Sequence, residues 1–328
     1  MSVSDWSPSA GIDQLVSRAR MLKSIRAFFS ARDVLEVETP LVSSSAVTDL
    51  HIDSMRLVNG RYLNTSPEYP MKRLLAAYRR DIYQVCKCFR ESEAGHWHNP
   101  EFSMLEWYRV GFTLEQLMDE LAELVSELSD GRIVDRRVFS YADLFEQVTG
   151  IDPHTSDVEA LAGHAHRHGI EVPEGMARTS ASGSLELVER DSWLDWLMST
   201  VVTPTLPDSG MNFIVDYPAS QCALAKLGHS GDHPVARRFE MYLGAHEIAN
   251  AYEELTDAGE QRERFDLELD RRALMGRPAM PIDERLLQAM QHGLPACSGV
   301  AVGLDRLLAL MAGDDAIGGQ LSFDWQRA

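Results

Sequence analysis

The stretch Phe89-Arg90-Glu91-Ser92-Glu93-Ala94-Gly95-His96-Trp97-His98-Asn99-Pro100-Glu101-Phe102 separates two runs of alternating polarity. Ile82 to Arg90 alternates at the strand period, and Glu101 to Tyr108 does the same. The spacing predicts a hairpin. Its long loop, rich in Gly, His and an Asn-Pro turn, is of a length that more often carries function than merely connects. Cys86, Cys88 and Arg90 share one face of the first strand. Phe102, Met104, Glu106 and Tyr108 share one face of the second. Arg90 stands where strand gives way to loop, a position suited to a phosphate-binding group.

A second arginine closes the run Gly299-Val300-Ala301-Val302-Gly303-Leu304-Asp305-Arg306. Val300 to Val302 predicts a short buried strand, and Asp305 to Met311 the start of a helix. The run lacks the GxGxxG pattern, so its glycines fit either a phosphate site or tight strand-to-helix packing. Arg306 is open to the same two readings, phosphate or an ion pair near Asp305. A third segment, Glu247-Ile248-Ala249-Asn250-Ala251-Tyr252-Glu253-Glu254-Leu255-Thr256-Asp257, offers paired carboxylates. Beside phosphates these suit Mg²⁺, which takes oxygen ligands; alone they read as a solvated acidic face.

Further out, apolar spacing predicts a helix from Ile12 to Ala31. Glu36 to Pro40 reads as a strand ended by proline, and Arg61 to Thr65 as another. Ser66-Pro67-Glu68 opens a helix: Ser66 can cap, Pro67 suits the first turn and Glu68 favours the positive helix end. Another amphipathic helix starts at Leu114. Tyr141 to Pro207 is mostly helical in pattern, with a surface loop from Pro173 to Ser184. Phe213 to Tyr217 and Arg238 to Leu255 are strand-like. Glu260 to Met275 is a charged helix whose apolar content is Phe265, Leu267 and Leu269. His164 and His168 face together on a helix and read as structural, and Ser220 and Cys222 have no triad context.

The chain has 328 residues, 45% of them hydrophobic, enough for a sizeable core. Fifty acidic against 31 basic side chains give a net charge of −19, which argues against an extended nucleic-acid surface. The four cysteines form no CxxC pair and read as free thiols in a reducing compartment. Met1 to Trp6 has neither basic nor apolar leader character, and no apolar run approaches the ~20 residues of a membrane span. A cytoplasmic protein without membrane association is expected.

Together these segments resemble class II aminoacyl-tRNA synthetases. Phe89 to Glu93 with His98 to Phe102 is similar to motif 2, Gly299 to Arg306 to motif 3, and Val37-Glu38-Thr39-Pro40 to motif 1, the dimer motif. Ser66 to Arg73 and Glu247 to Asn250 bring the chain nearest to lysyl-tRNA synthetases. Motif 1 lies too near the N-terminus to leave room for their anticodon-binding domain. A stand-alone core of this kind resembles the elongation factor P–(R)-β-lysine ligase family, as do Leu105-Glu106-Trp107-Tyr108-Arg109 and Pro218-Ala219-Ser220-Gln221.

The resemblance implies an α+β fold: a class II catalytic core, mainly antiparallel sheet flanked by helices, with residues 1–328 as one domain and a homodimer. It implies ATP and Mg²⁺ as cofactors, (R)-β-lysine or lysine as substrate and elongation factor P as acceptor. Arg90 and Arg306 would be catalytic, holding the α- and γ-phosphates. Ser92, His98, Asn99, Glu247, Ile248 and Gly303 would complete the ATP site. Ser66, Pro67, Glu68, Tyr108, Asn250, Glu254 and Ala301 would hold the amino acid, with Glu247 and Glu254 as Mg²⁺ ligands. Two acidic anchors, Glu68 and Glu254, suit a dicationic amino acid. Ser92 stands where the family has glutamate, leaving open which of Glu91, Ser92 and Glu93 meets ATP. Ala301 replaces the glycine of lysyl-tRNA synthetases and would reshape the pocket floor. A minimal lysyl-tRNA synthetase charging tRNA and a non-catalytic amino-acid sensor are the alternatives.

Overall fold

The computed structural model describes residues 6–173, 175–179, 185–187 and 189–328. The chain parts into two compact units, residues 1–133 with 248–328 and residues 134–247. The first unit begins with α1 (Ile12–Ser30), β1 (Leu35–Glu36), β2 (Val42–Ser43), β3 (Tyr62–Leu63), α2 (Glu68–Tyr78), β4 (Ile82–Phe89), β5 (Glu101–Val110) and α3 (Leu114–Leu128). The second holds β6 (Arg136–Ser140), α4 (Tyr141–Thr149), α5 (Val158–Arg167), β7 (Ala177–Thr179), β8 (Leu185–Leu187), α6 (Arg190–Leu197), β9 (Met211–Pro218), β10 (Leu227–Ser230) and β11 (His233–Leu243). Strand β12 (His246–Glu253) returns the chain to the first unit, which ends with α7 (Ala258–Leu274), α8 (Glu284–Gly293), β13 (Cys297–Gly303) and α9 (Leu304–Ala312).

In the first unit the strand order is β1-β4-β5-β13-β12. Only β1 against β4 is parallel; β4/β5, β5/β13 and β13/β12 are antiparallel. Alternation gives this sheet two faces. On one, Tyr83 pairs with Trp107, and both meet Phe29 of α1: its ring stacks on Tyr83 at 4.4 Å and meets Trp107 edge-on at 5.3 Å. Trp107 also donates its indole N–H to Glu120 Oε2 of α3 at 2.9 Å. Thr113 and Gln116 close a capping box on α3, which sets where that helix begins. The opposite face carries Cys86, Cys88, Phe102, Met104, Glu106 and Tyr108 and is left for chemistry.

In the second unit β9 lies between β11, antiparallel, and β6, parallel, with β10 antiparallel on β11. Phe213 and Phe239 meet edge-on at 5.5 Å, and Tyr141 of α4 sits 4.8 Å from Tyr217.

Several expectations need adjustment. The strand expected over 36–40 is only Leu35–Glu36; one more bond, Val37 N–H to Tyr83 O at 2.8 Å, follows before Thr39 and Pro40 leave the sheet. The loop expected over 173–184 contains β7, which pairs with β8, although residues 174 and 180–184 lie outside the described set, as does the leader reading at residues 1–5. Leu267, expected among the apolar contacts of α7, is 52% exposed, whereas Phe265 is buried. His164 and His168 do face together, ring centroids 4.4 Å apart. Among the described residues no helix is long and apolar enough to cross a membrane.

Candidate active site

On the open face β13 presents Gly299, Ala301 and Gly303. Register sets Tyr108, Glu106 and Met104 of β5 beside them on one side, and Tyr252 and Asn250 of β12 beside Gly299 and Ala301 on the other. Small residues along the central strand thus make a floor between taller neighbours. Glycine is required at one of these positions. A Cβ added at Gly299 would lie 2.3 Å from Tyr108 Cε1 and 2.7 Å from Glu254 Oε1. The ring and the carboxylate therefore lie directly over the strand.

One end of this trough is acidic. Ser66 accepts the Glu68 N–H at 3.0 Å, fixing the start of α2, and donates to Glu106 Oε2 at 2.8 Å. Tyr108 donates to the other oxygen, Glu106 Oε1, at 2.7 Å. Burial first, and then the Glu68 charge, push the Glu106 carboxyl up to about 8. Glu254 is pushed up to about 7, by burial first, although Lys72 pulls the other way. Lys72 is 1% exposed, with Nζ 2.7 Å from Glu68 Oε1 and 2.5 Å from Glu254 Oε2. Burial works to lower Lys72, but Glu254 and Glu68 outweigh it and hold the ammonium above its ordinary range. Tyr108 is raised by burial and then by Glu106, Glu68 and Glu254, which places all three carboxylates around it. Asn250 donates to Tyr252 Oη at 3.1 Å.

The other end is basic. Arg90 lies over the Phe102 ring at 5.1 Å and 3.5 Å from Glu93. Arg306, in the first turn of α9, donates to Trp97 O at 3.0 Å and lies 2.5 Å from His98 Nε2. Asp305 does not hold Arg306; it pairs with Arg18 at 2.5 Å and accepts the Ser103 N–H at 2.7 Å. His98 is lowered by burial and then by Arg306, with Glu93 opposing and Arg90 adding. Both arginines therefore act on one imidazole. Along β5 the acidic and basic ends, Glu106 and Phe102, are about 13 Å apart at ~3.3 Å per residue.

The structure thus gathers Ser66, Pro67, Glu68, Tyr108, Asn250, Glu254 and Ala301 at one end and Arg90, His98 and Arg306 at the other. Gly303 closes β13, with Ile248 O 3.9 Å from where its Cβ would stand. Asn99 is tied by its side chain to Glu101 O at 2.6 Å and accepts the Trp325 N–H at 3.0 Å. Ser92 sits in the loop with φ at 67°, a left-handed backbone that serine seldom adopts. Glu247 is the last residue of the second unit, where its charge reaches Tyr242. Among the described residues no three His, Cys, Asp or Glu side chains form a metal-binding group. Glu254, expected to serve Mg²⁺, is held by Lys72.

Two residues of the acidic end had no assigned role in the sequence. Glu106 was already on a shared face with Phe102 and Tyr108, and the Tyr108 hydroxyl two residues on was the available signal; its second partner, Ser66, comes from 40 residues away. Lys72 follows Glu68 at i+4, a helix pairing legible in sequence, but its second partner, Glu254, arrives from the residue that follows β12.

Comparison with known proteins gives the same reading. Residues 8–324 match the family model for class II tRNA synthetases (D, K and N). The elongation factor P–(R)-β-lysine ligase of Proteus mirabilis is 43% identical, over 99% of this chain and 99% of its own. That of Pasteurella multocida is 40% identical over 99% and 98%, and that of Pseudoalteromonas translucida 43% over the full length of both. The chain belongs to the class II tRNA synthetases (D, K and N) and, within them, to the elongation factor P–(R)-β-lysine ligase family.

Proposed function

We propose that the protein is an ATP-dependent ligase that activates (R)-β-lysine, or lysine, as an aminoacyl adenylate. It then transfers the acyl group to a lysine ε-amine on elongation factor P. One observation carries this reading: on one face of β5, Glu106 stands in the carboxylate cluster and Phe102, about 13 Å along the strand, lies under Arg90, whose charge acts with that of Arg306 on His98. The relatives that align over nearly their full length are elongation factor P–(R)-β-lysine ligases, which supports the acceptor.

In the first step the amino-acid carboxylate attacks the α-phosphorus and pyrophosphate leaves. Arg90 and Arg306 donate to the phosphoryl oxygens as charge builds there. Ser66, Glu68, Tyr108, Glu106, Asn250 and Glu254 hold the amino acid, and Ala301 floors its pocket. Pro67, at the helix start, fixes the direction of Glu68. Asn99, His98, Ser92, Ile248 and Gly303 line the nucleotide. Mg²⁺ is usually held through one or two carboxylates together with substrate phosphates, and Glu247 offers such a carboxylate; the ion would neutralise phosphate charge. In the second step the acceptor amine attacks the adenylate carbonyl, the amide forms, the amine loses its proton and AMP departs.

We further propose that residues 1–328 act as one catalytic domain in the cytoplasm, as a homodimer paired through the motif 1 edge. Leu35, Leu41 and Val42, all exposed near that edge, support the pairing. Amino-acid-dependent pyrophosphate exchange tests the reading. Wild-type protein exchanges label with (R)-β-lysine or lysine, and Arg306→Ala slows exchange by about 10²–10³, the loss seen for one preorganised donor. A wild type silent with both amino acids defeats it.

A further inference from the structure

Lys72 is the least expected group in the trough. A lysine ammonium that is 1% exposed is uncommon, and it stands between two carboxylates rather than beside one. Its geometry divides each partner in two. Glu254 gives Oε2 to Lys72 and turns Oε1 over Gly299, beside the Tyr108 ring. Glu68 gives Oε1 to Lys72, and its Oε2 remains. The ammonium thus fixes two carboxylates from distant parts of the chain, one on a helix and one just past the end of β12, and leaves each with an oxygen not given to it.

The charges follow. Glu68, Glu106 and Glu254 carry three negative charges when ionised, and Lys72 offsets one. Two remain, the number that two substrate ammonium groups would neutralise. Without Lys72 a third buried carboxylate would lack a counter-charge, at a cost of several kcal/mol for an unpaired ion. The pocket would then take up a proton or collapse, rather than stay open and charged. Other titratable groups facing this cluster are Tyr108, Tyr69 beside Glu68, Cys86 beside Glu106, and Cys297 of β13, whose thiol burial raises first and Glu254 next.

We propose that Lys72 is a positioning residue: a resident counter-ion that aims Glu68 and Glu254 at the amino acid and matches the pocket to a substrate bearing two ammonium groups. This rests on the proposed lysine-activating function. Lys72 pairs with carboxylates of the acidic end, so its effect belongs to amino-acid binding.

The test is pyrophosphate exchange with (R)-β-lysine and lysine by Lys72→Met and Lys72→Ala, with thermal unfolding as the fold control. The expected result is an amino-acid KM raised about tenfold or more, about 1.4 kcal/mol, with the ATP KM within about twofold of wild type. Ethylammonium, which replaces the missing ammonium in the cavity of Lys72→Ala, lowers that KM again and leaves wild type unchanged. An unchanged amino-acid KM overturns the proposal, as does a parallel rise in both KM values without amine rescue. Should neither variant fold, calorimetry of lysine binding to wild type at pH 7 in buffers of differing ionisation enthalpy decides. Release of about one proton, as an arriving ammonium ionises Glu106, supports the charge match, and no release overturns it. A wild type silent in exchange would instead defeat the proposed function, before any variant is compared.

Discussion

Replacing Gly299 by alanine probes the amino-acid end of the trough with a single methyl group. The added Cβ would stand 2.3 and 2.5 Å from Tyr108 Cε1 and Cδ1 and 2.7 Å from Glu254 Oε1. None of these distances is tolerable, so something must move. Neither neighbour moves alone: Tyr108 is bonded to Glu106 at 2.7 Å, and Glu254 to Lys72 at 2.5 Å. Relief therefore displaces three carboxylate or hydroxyl groups of the proposed substrate site together. Overpacking of this kind costs about 1–3 kcal/mol. Expressed in amino-acid binding, that is a rise in KM of about 5- to 150-fold. Expressed in stability, it is about 1.5 °C of melting temperature per kcal/mol for a domain of 328 residues. Gly303→Ala is the comparison, because its Cβ meets only Ile248 O, at an ordinary 3.9 Å. It should melt like wild type and, at the nucleotide end, alter the ATP KM instead. Pyrophosphate exchange gives both KM values, and calorimetric melting gives the stability. Gly299→Ala with wild-type melting and wild-type amino-acid KM would refute the placement of Tyr108 and Glu254 over β13.

Two further outcomes follow from the same geometry. Glu106 is held at about 8 when folded, against about 4.3 for a free glutamate, so the folded protein keeps a proton that the unfolded chain has lost between those values. That contribution to stability is full below pH ~4, falls as pH rises through the window and is gone above pH ~8. Glu106→Gln therefore gains on wild type in unfolding experiments as pH is raised from 5 to 9, by at most a few kcal/mol, while its amino-acid KM rises sharply; a pH-independent difference would contradict this. Phe29→Ala, which removes a fully buried ring from between Tyr83 and Trp107, should cost about 3–5 kcal/mol in denaturant unfolding. In the folded fraction it should leave both KM values near wild type, because the ring lies on the face away from the trough.

The elements that carry chemistry were legible because their signals are local. The β4–β5 hairpin declares itself through alternation, and the start of α2 through Ser66, Pro67 and Glu68. The limits of β1 were not, since Pro40 and the last bond to Tyr83 decide them jointly. Helix α8 had a local signal in the Asp283 cap and the spacing of Leu286, Leu287 and Met290, which the sequence reading did not use. The arginine end was visible as one arginine at a strand-to-loop junction and one at a strand-to-helix junction, but their meeting at His98 depends on α9 following β13 beside β5. Glu106 and Lys72 show the harder case. Charged side chains at helix and strand positions ordinarily read as surface; the register of β5 on β13 turns Glu106 inward, and Lys72 of α2 is turned inward by its partner Glu254, which the sequence leaves distant. Glu68 and Glu254 were anticipated as anchors for ammonium groups; that one such ammonium comes from the chain itself was not.

The account stands most directly on the mass of elongation factor P after incubation with this protein, ATP, Mg²⁺ and (R)-β-lysine. The predicted result is a gain of one β-lysyl group on a lysine side chain, absent when ATP is omitted and when Arg306→Ala replaces wild type. An unmodified factor, with the amino acid recovered on tRNA instead, would contradict it.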